Sequence, residues 1–141
     1  MQEIDITKTT DAAPEAVWAL LADSAAWPSW TPVDSHSEEH PGGADGTGEV
    51  RIFKTGRYTV REEIVEKQAP ERLSYVLLSG LPLKNYRAEI DVRPAPGGGS
   101  EIRWHTVFAP KVPGTGGIFR RSLQKITGQF VDGLATRAAQ G

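Results

Sequence analysis

Glu62 is the acidic residue whose setting most suggests chemistry. In Tyr58-Thr59-Val60-Arg61-Glu62-Glu63-Ile64, side chains two apart share one face of a strand. The phase that carries Tyr58, Val60 and Ile64 inward therefore carries Glu62 with them. A carboxyl among aromatic groups loses solvation, and its pKa rises unless a cation or donor pairs with it; a raised carboxyl is what a general acid or base requires. The plainer alternative is a bulge at Arg61-Glu62-Glu63 that turns Glu62 to solvent or pairs it with an arginine such as Arg51. Tyr58, Tyr75 and Tyr86 add hydroxyls to an otherwise apolar lining, which suits a ligand with a few carbonyl or phenol oxygens. They could equally hydrogen-bond one another. Other chemistry is harder to build. With no cysteine, disulfides and thiolate catalysis are excluded and structural zinc lacks its usual ligands. His36 and His40 lie four apart in a stretch that reads as strand and turn, where that spacing does not bring two imidazoles to one metal. His105 falls in an outward phase beside Arg103, with no serine placed to use it, and reads as a surface histidine. No metal and no cofactor is expected.

Aromatic residues carry more of the signal than polar ones. Ala13 to Asp23 forms an amphipathic helix with Val17, Leu20 and Leu21 on one stripe; Asp11 offers an N-cap, and Pro14 suits the first turn. Trp27-Pro28-Ser29-Trp30 follows, and its prolines allow only a helical turn or loop. Trp27 and Trp30 look exposed at this junction. They either staple the first helix to a sheet or cap the mouth of a pocket, and both roles can hold together.

The elements that position these groups follow from period and punctuation. Residues 3 to 10 alternate as a half-buried strand. Val33 to His40 reads as a short polar strand closed by the turn cluster Pro41 to Gly46. Gly48 to Thr55, Arg57 to Lys67, Arg72 to Ser79, Asn85 to Arg93 and Glu101 to Ala109 are strand-like runs bounded by Gly and Pro, which predicts consecutive hairpins. In these, Leu73, Tyr75 and Leu77 share a phase; Tyr86, Ala88, Ile90 and Val92 face in; so do Ile102, Trp104, Thr106 and Phe108. Arg87, Glu89, Asp91 and Arg93 face out, as Arg103 does. The last segment changes period: Phe119, Leu123, Ile126, Phe130 and Leu134 mark one face of a long helix after the flexible lead-in Gly114 to Gly117. Gly133 lies on that stripe, where the missing side chain leaves room for a ligand or for close packing.

An antiparallel sheet must cover one face, and the long helix is the available cover, so an α+β fold follows in which the sheet curls around the helix. Such a grip does not close completely with side chains, and a cavity between sheet and helix is expected. Four stretches, Asp11 to Trp18, Trp27 to Trp30, Ala69-Pro70-Glu71-Arg72-Leu73 and Gly99 to Trp104, resemble the helix-grip superfamily (START-like, or SRPBCC) across essentially the whole chain. Its small bacterial members of the polyketide cyclase and dehydrase type are the nearest in kind. The resemblance implies a curved antiparallel sheet of about seven strands around a C-terminal helix, two short helices after strand 1, and a single ligand-binding domain over residues 1–141.

Composition narrows function further. With 16 Lys and Arg against 18 acids and a formal charge of −2, the chain has no global field for nucleic acid. No apolar run approaches the roughly 18 residues that span a bilayer, and the alternating start does not read as a signal peptide, so a cytoplasmic protein without stable membrane insertion is expected. Arg120, Arg121 and Lys125 cluster on the polar side of the last helix, as its solvated face or as a contact for anionic lipid. The leading expectation is a binder of a hydrophobic molecule of polyketide, quinone or lipid type. Its contacts would come from Trp27, Trp30, Tyr58, Glu62, Tyr75, Tyr86, Trp104, Phe108, Phe119 and Phe130. A polyketide cyclase, aromatase or dehydrase working through substrate orientation, with Glu62 as the candidate catalytic group, is the alternative. A regulatory protein-interaction domain ranks behind both, because the outward strand residues are mostly charged. Monomer and homodimer are both open.

Overall fold

The structure is a computed structural model and describes residues 1–140. Strand β1 (Gln2–Thr10) is followed by helix α1 (Pro14–Ala22) and a 3₁₀ turn (Ser24–Ser29). Strands β2 (Ser35–Pro41), β3 (Glu49–Thr55), β4 (Tyr58–Gln68), β5 (Arg72–Ser79), β6 (Leu83–Pro94) and β7 (Ser100–Pro110) come next, and helix α2 (Gly116–Ala139) is the last element among the described residues. The seven strands form one antiparallel sheet in the order β1-β7-β6-β5-β4-β3-β2, so the hairpin sequence runs unbroken and β1 returns to pair with β7. The α+β helix-grip expectation therefore stands.

Details differ from the sequence reading where local chemistry decides. Ala13, not Asp11, is the N-cap of α1, and no side chain caps it; Pro14, which needs no amide partner, fills the first turn. Asp23 instead caps the 3₁₀ turn, accepting from the Ala25 amide at 3.2 Å. The polar strand begins at Ser35, leaving Val33 outside it and buried. Strand β6 starts two residues before Asn85, whose positive φ of 54° breaks the pairing with β7 between Lys84 and Arg87. Gly116 and Gly117, read as part of a flexible lead-in, belong to the first turn of α2.

Alternation along the strands divides the sheet cleanly. The inner face packs Phe53, Ile64, Leu73, Tyr75, Ala88, Ile90, Ile102 and Trp104 beneath Val17, Leu21 and the C-terminal half of α2. The outer face carries cross-strand polar contacts: ion pairs of Arg103 with Asp5 (2.6 Å), Arg72 with Asp91 (2.7 Å) and Arg87 with Glu66 (3.5 Å), and a hydrogen bond between His105 Nε2 and Glu3 Oε2 (2.7 Å). Thr10 Oγ1 donates to the Ala135 carbonyl at 2.8 Å, and Lys8 pairs with Asp132 at 2.6 Å, which pins the far half of α2 to β1. Ser100 Oγ donates to the Ala12 carbonyl at 2.7 Å, tying the start of β7 to the entry of α1.

Candidate functional site

The near half of α2 stands off the sheet. Between it and strands β3 to β6 lies a cavity of about 290 Å³. Its wall is built from inward strand positions, Phe53, Val60, Tyr75 and Tyr86, and from the helix stripe Phe119, Leu123, Ile126 and Phe130. Trp27 and Val33 contribute from the α1–β2 connection. Tyr58, 57 % exposed, and the exposed Ser122 mark where the cavity opens. Two other hollows, of about 530 Å³ beside Asp11 and Pro96 and about 430 Å³ beside Pro32 and Gly133, are open surface grooves with no comparable apolar wall.

Glu62 reaches the cavity wall. The β4–β5 pairing does shift between Arg61 and Glu62, but the shift leaves Glu62 facing inward and 8 % exposed. Its partner is Arg51, directly opposite on β3, whose Nε donates to Glu62 Oε1 at 3.1 Å. The two alternatives read from the sequence thus coexist: the carboxyl faces in and pairs with arginine. Burial raises its pKa above the ordinary carboxylate value, and the Arg51 charge opposes that rise.

Arg51 itself is fully buried. Its guanidinium lies 4.0 Å from the Trp27 ring centroid, 4.6 Å from Phe53 and 4.8 Å from Tyr75, an aromatic clamp that replaces lost hydration with ring quadrupoles. Nη1 donates to Ser24 Oγ at 3.1 Å, and Ser24 in turn donates to Glu49 Oε2 at 2.6 Å. Nη2 has no partner. Tyr75 and Tyr86 stand with ring centroids 6.5 Å apart, and burial pushes both phenols above their usual pKa, so they stay protonated donors. The cavity therefore offers an apolar wall, neutral phenol donors and one arginine-held carboxyl.

The ten expected contact residues separate by depth. Trp27, Tyr58, Glu62, Tyr75, Tyr86, Phe119 and Phe130 border the cavity. Trp30, Trp104 and Phe108, expected there with them, lie outside its wall. Trp104 packs edge-on to Trp27 at 5.7 Å, behind the wall, and the Trp30 ring lies tilted against Trp27 at 4.8 Å. Phe108 joins Ile4 and Leu83 in a separate buried cluster. Neither tryptophan of the 27–30 pair is exposed as the sequence suggested: Trp27 is fully buried, with Nε1 donating to the Leu21 carbonyl at 3.1 Å. Gly133 leaves room for backbone, not ligand, because a Cβ there would overlap the Trp30 carbonyl oxygen.

Sequence reasoning missed Phe53 as a contact residue and the central place of Arg51. The signal was present. A two-residue Gly56-Arg57 turn pairs Thr55 with Tyr58, and counting back from it sets Arg51 opposite Glu62. His36, His40 and His105 do not converge; among the described residues no group of three or more His, Cys, Asp or Glu could hold a metal ion.

A family model described as "Polyketide cyclase / dehydrase and lipid transport" matches residues 1–139. The chain belongs to this family. Membership places it among proteins that handle hydrophobic small molecules. Solved structures repeat the architecture. A START superfamily protein from Mycobacterium smegmatis superposes with a TM-score of 0.83 at 13% identity, covering 98% of this chain and 97% of that one. A Thermobifida fusca protein gives 0.83 at 24% identity over 99% and 95% of the two chains. XoxI from Bacillus cereus gives 0.81 at 20% over 97% and 95%. At these identities the likeness establishes the fold. No curated protein matches by sequence. No helix among the described residues is long and apolar enough to cross a membrane.

Proposed function

We propose that this protein binds a hydrophobic small molecule of polyketide, quinone or lipid type in the cavity between the sheet and α2. The observation that carries the reading is the composition of the wall, aromatic and aliphatic on nearly every side with Glu62, Tyr75 and Tyr86 as its convergent polar groups. A cavity of about 290 Å³ holds roughly ten water-sized groups, which favours a small ring system or short acyl chain over a full phospholipid. The phenols suit carbonyl oxygens, and Glu62 suits a hydroxyl or enol proton.

Glu62 also supports a second reading, a cyclase or dehydrase. A carboxyl held in an apolar wall with a raised pKa can take or return a proton while shaped walls orient a reactive chain.

Mass spectrometry of protein purified under mild conditions, joined to thermal melting against polyketide, quinone and fatty-acid panels, tests both. A ligand at about 100-fold over its Kd adds about 2.7 kcal/mol, a Tm rise of roughly 5–10 °C. No co-purified molecule and no stabilising compound in any panel would refute the binding reading. Turnover of a bound species that Glu62→Gln abolishes would establish the enzyme; turnover at an unchanged rate would remove Glu62 from it.

A further inference from the structure

Apart from Met1, the large apolar side chains that stand exposed among the described residues gather at one end of the molecule. Tyr58 begins β4, Leu78 nears the end of β5, Val112 lies in the loop after β7, and Ile118, 68 % exposed, sits in the first turn of α2. Antiparallel order brings the β3–β4 turn, the β5–β6 turn and the β7–α2 loop to the same end, the one where the cavity opens.

Charge is segregated at that end too. Residues 54–59 hold Lys54 and Arg57, residues 78–85 hold Lys84, and residues 109–125 hold Lys111, Arg120, Arg121 and Lys125; the three stretches contain no Asp or Glu. All 18 acids lie in the rest of the chain with the other nine cations, so the formal charge of −2 conceals a strongly basic rim. Most cations elsewhere are neutralised, as in Arg61 with Glu39 or Arg103 with Asp5, whereas none of these seven forms an ion pair among the described residues. Two acids approach the rim and both are engaged. Asp34 accepts from the Gly56 amide at 2.7 Å, and Glu3 pairs with His105 while its carbonyl accepts from Arg120 Nε at 3.0 Å.

We propose that this end of the protein docks reversibly on an anionic lipid bilayer, with the cavity mouth facing the membrane. Exposed aliphatic groups set among unpaired cations match the headgroup boundary, where hydrocarbon enters the acyl edge and ammonium or guanidinium groups meet phosphate. A nucleic acid would satisfy the charges but leave Ile118 and Val112 in water. The surface is independent of what the cavity holds.

Vesicle sedimentation tests it, using phosphatidylcholine alone and phosphatidylcholine with about 30 % phosphatidylglycerol. The expected result is partition to the anionic vesicles that falls as salt rises. With about fivefold per cation near the surface, Arg120→Glu with Arg121→Glu lowers partition about 20-fold or more. Ile118→Asp lowers it at constant cationic charge. The control pair Arg93→Glu with Arg137→Glu, exposed cations at the opposite end, changes it less than about twofold. Unaltered far-UV spectra and melting show that the variants fold. Equal binding to neutral vesicles, no binding to anionic ones, or an equal loss in the control pair would overturn the proposal. So would Ile118→Asp without effect together with tight binding of a single-stranded oligonucleotide, which would assign the rim to a polyanion. Ligand-induced thermal shifts unchanged in the rim variants separate failure here from failure of the cavity reading.

Discussion

Arg51→Met removes the cation on which the inner site depends. The guanidinium is fully buried, donates to Glu62 at 3.1 Å and to Ser24 at 3.1 Å, and stacks on three rings. Breaking a buried pair by deleting one partner costs about 3–5 kcal/mol, because the remaining charge is left desolvated. At this chain length that is a Tm loss of roughly 10 °C. Glu62 can reduce the loss by taking a proton. Its folded pKa is already raised by burial and rises further without Arg51, so the folded state holds a proton that the unfolded state has released. The carboxyl's contribution is then best below the unfolded carboxylate pKa and declines as pH climbs through the window above it. Urea titrations should therefore show Arg51→Met losing more stability at about pH 8 than at about pH 5. The double variant Arg51→Met with Glu62→Leu, which has no charge to strand, should recover to within about 1 kcal/mol of the native protein. A loss under about 1 kcal/mol, equal at both pH values and additive with Glu62→Leu, would refute the view that these two groups hold each other in place.

Two glycines in α2 should respond in opposite directions to alanine. Gly128→Ala meets no atom within 4 Å and should stabilise by about 0.5–1 kcal/mol in thermal melting, whereas Gly133→Ala drives a Cβ into the Trp30 carbonyl and should destabilise by about 1–3 kcal/mol. Leu123→Trp, on the cavity wall at the half-exposed helix stripe, should fill the space and suppress ligand-induced thermal shifts while the unliganded Tm changes by less than about 3 °C. Hydrogen exchange should find the amides of residues 120–126 opening at lower free energy than those of 130–138, with added ligand slowing the first group; uniform protection along α2 would refute this.

The fold was legible because its punctuation is strong. Gly56, Gly80 with Pro82, and Pro94 to Gly99 bound runs of strict alternation, and residues Tyr86 to Val92 could be assigned inward and outward without coordinates. The four-three-four step of Phe119, Leu123, Ile126 and Phe130 gave α2 its inner stripe in the same way. Depth was not legible. Trp104 and Tyr75 share an inward orientation, yet one lies behind the wall and the other on it. That difference depends on how far α2 stands from the sheet at each point along its axis, a tertiary distance that alternation does not encode. Trp27 and Trp30 misled for a related reason: the loop that carries them folds under α2, with the Trp30 backbone pressed against Gly133. A glycine on an apolar helical stripe was the trace of that contact.

Helix α2 joins two regimes in one element. Its C-terminal half is buried at Val131, Leu134, Ala135 and Ala138, and anchored to β1 through Thr10 and Lys8. Its N-terminal half turns Phe119, Leu123 and Ile126 toward a space that protein atoms do not fill; Phe119 and Leu123 also touch the Ile4, Leu83 and Phe108 cluster, but the surface they turn to that space has no packing partner. This less fully packed half flanks the opening, beside Tyr58 and Ser122. On the proposed binding reading, a ligand entering there would supply the missing packing and tie this half of α2 to the sheet, so its arrival should raise the exchange protection of residues 120–126.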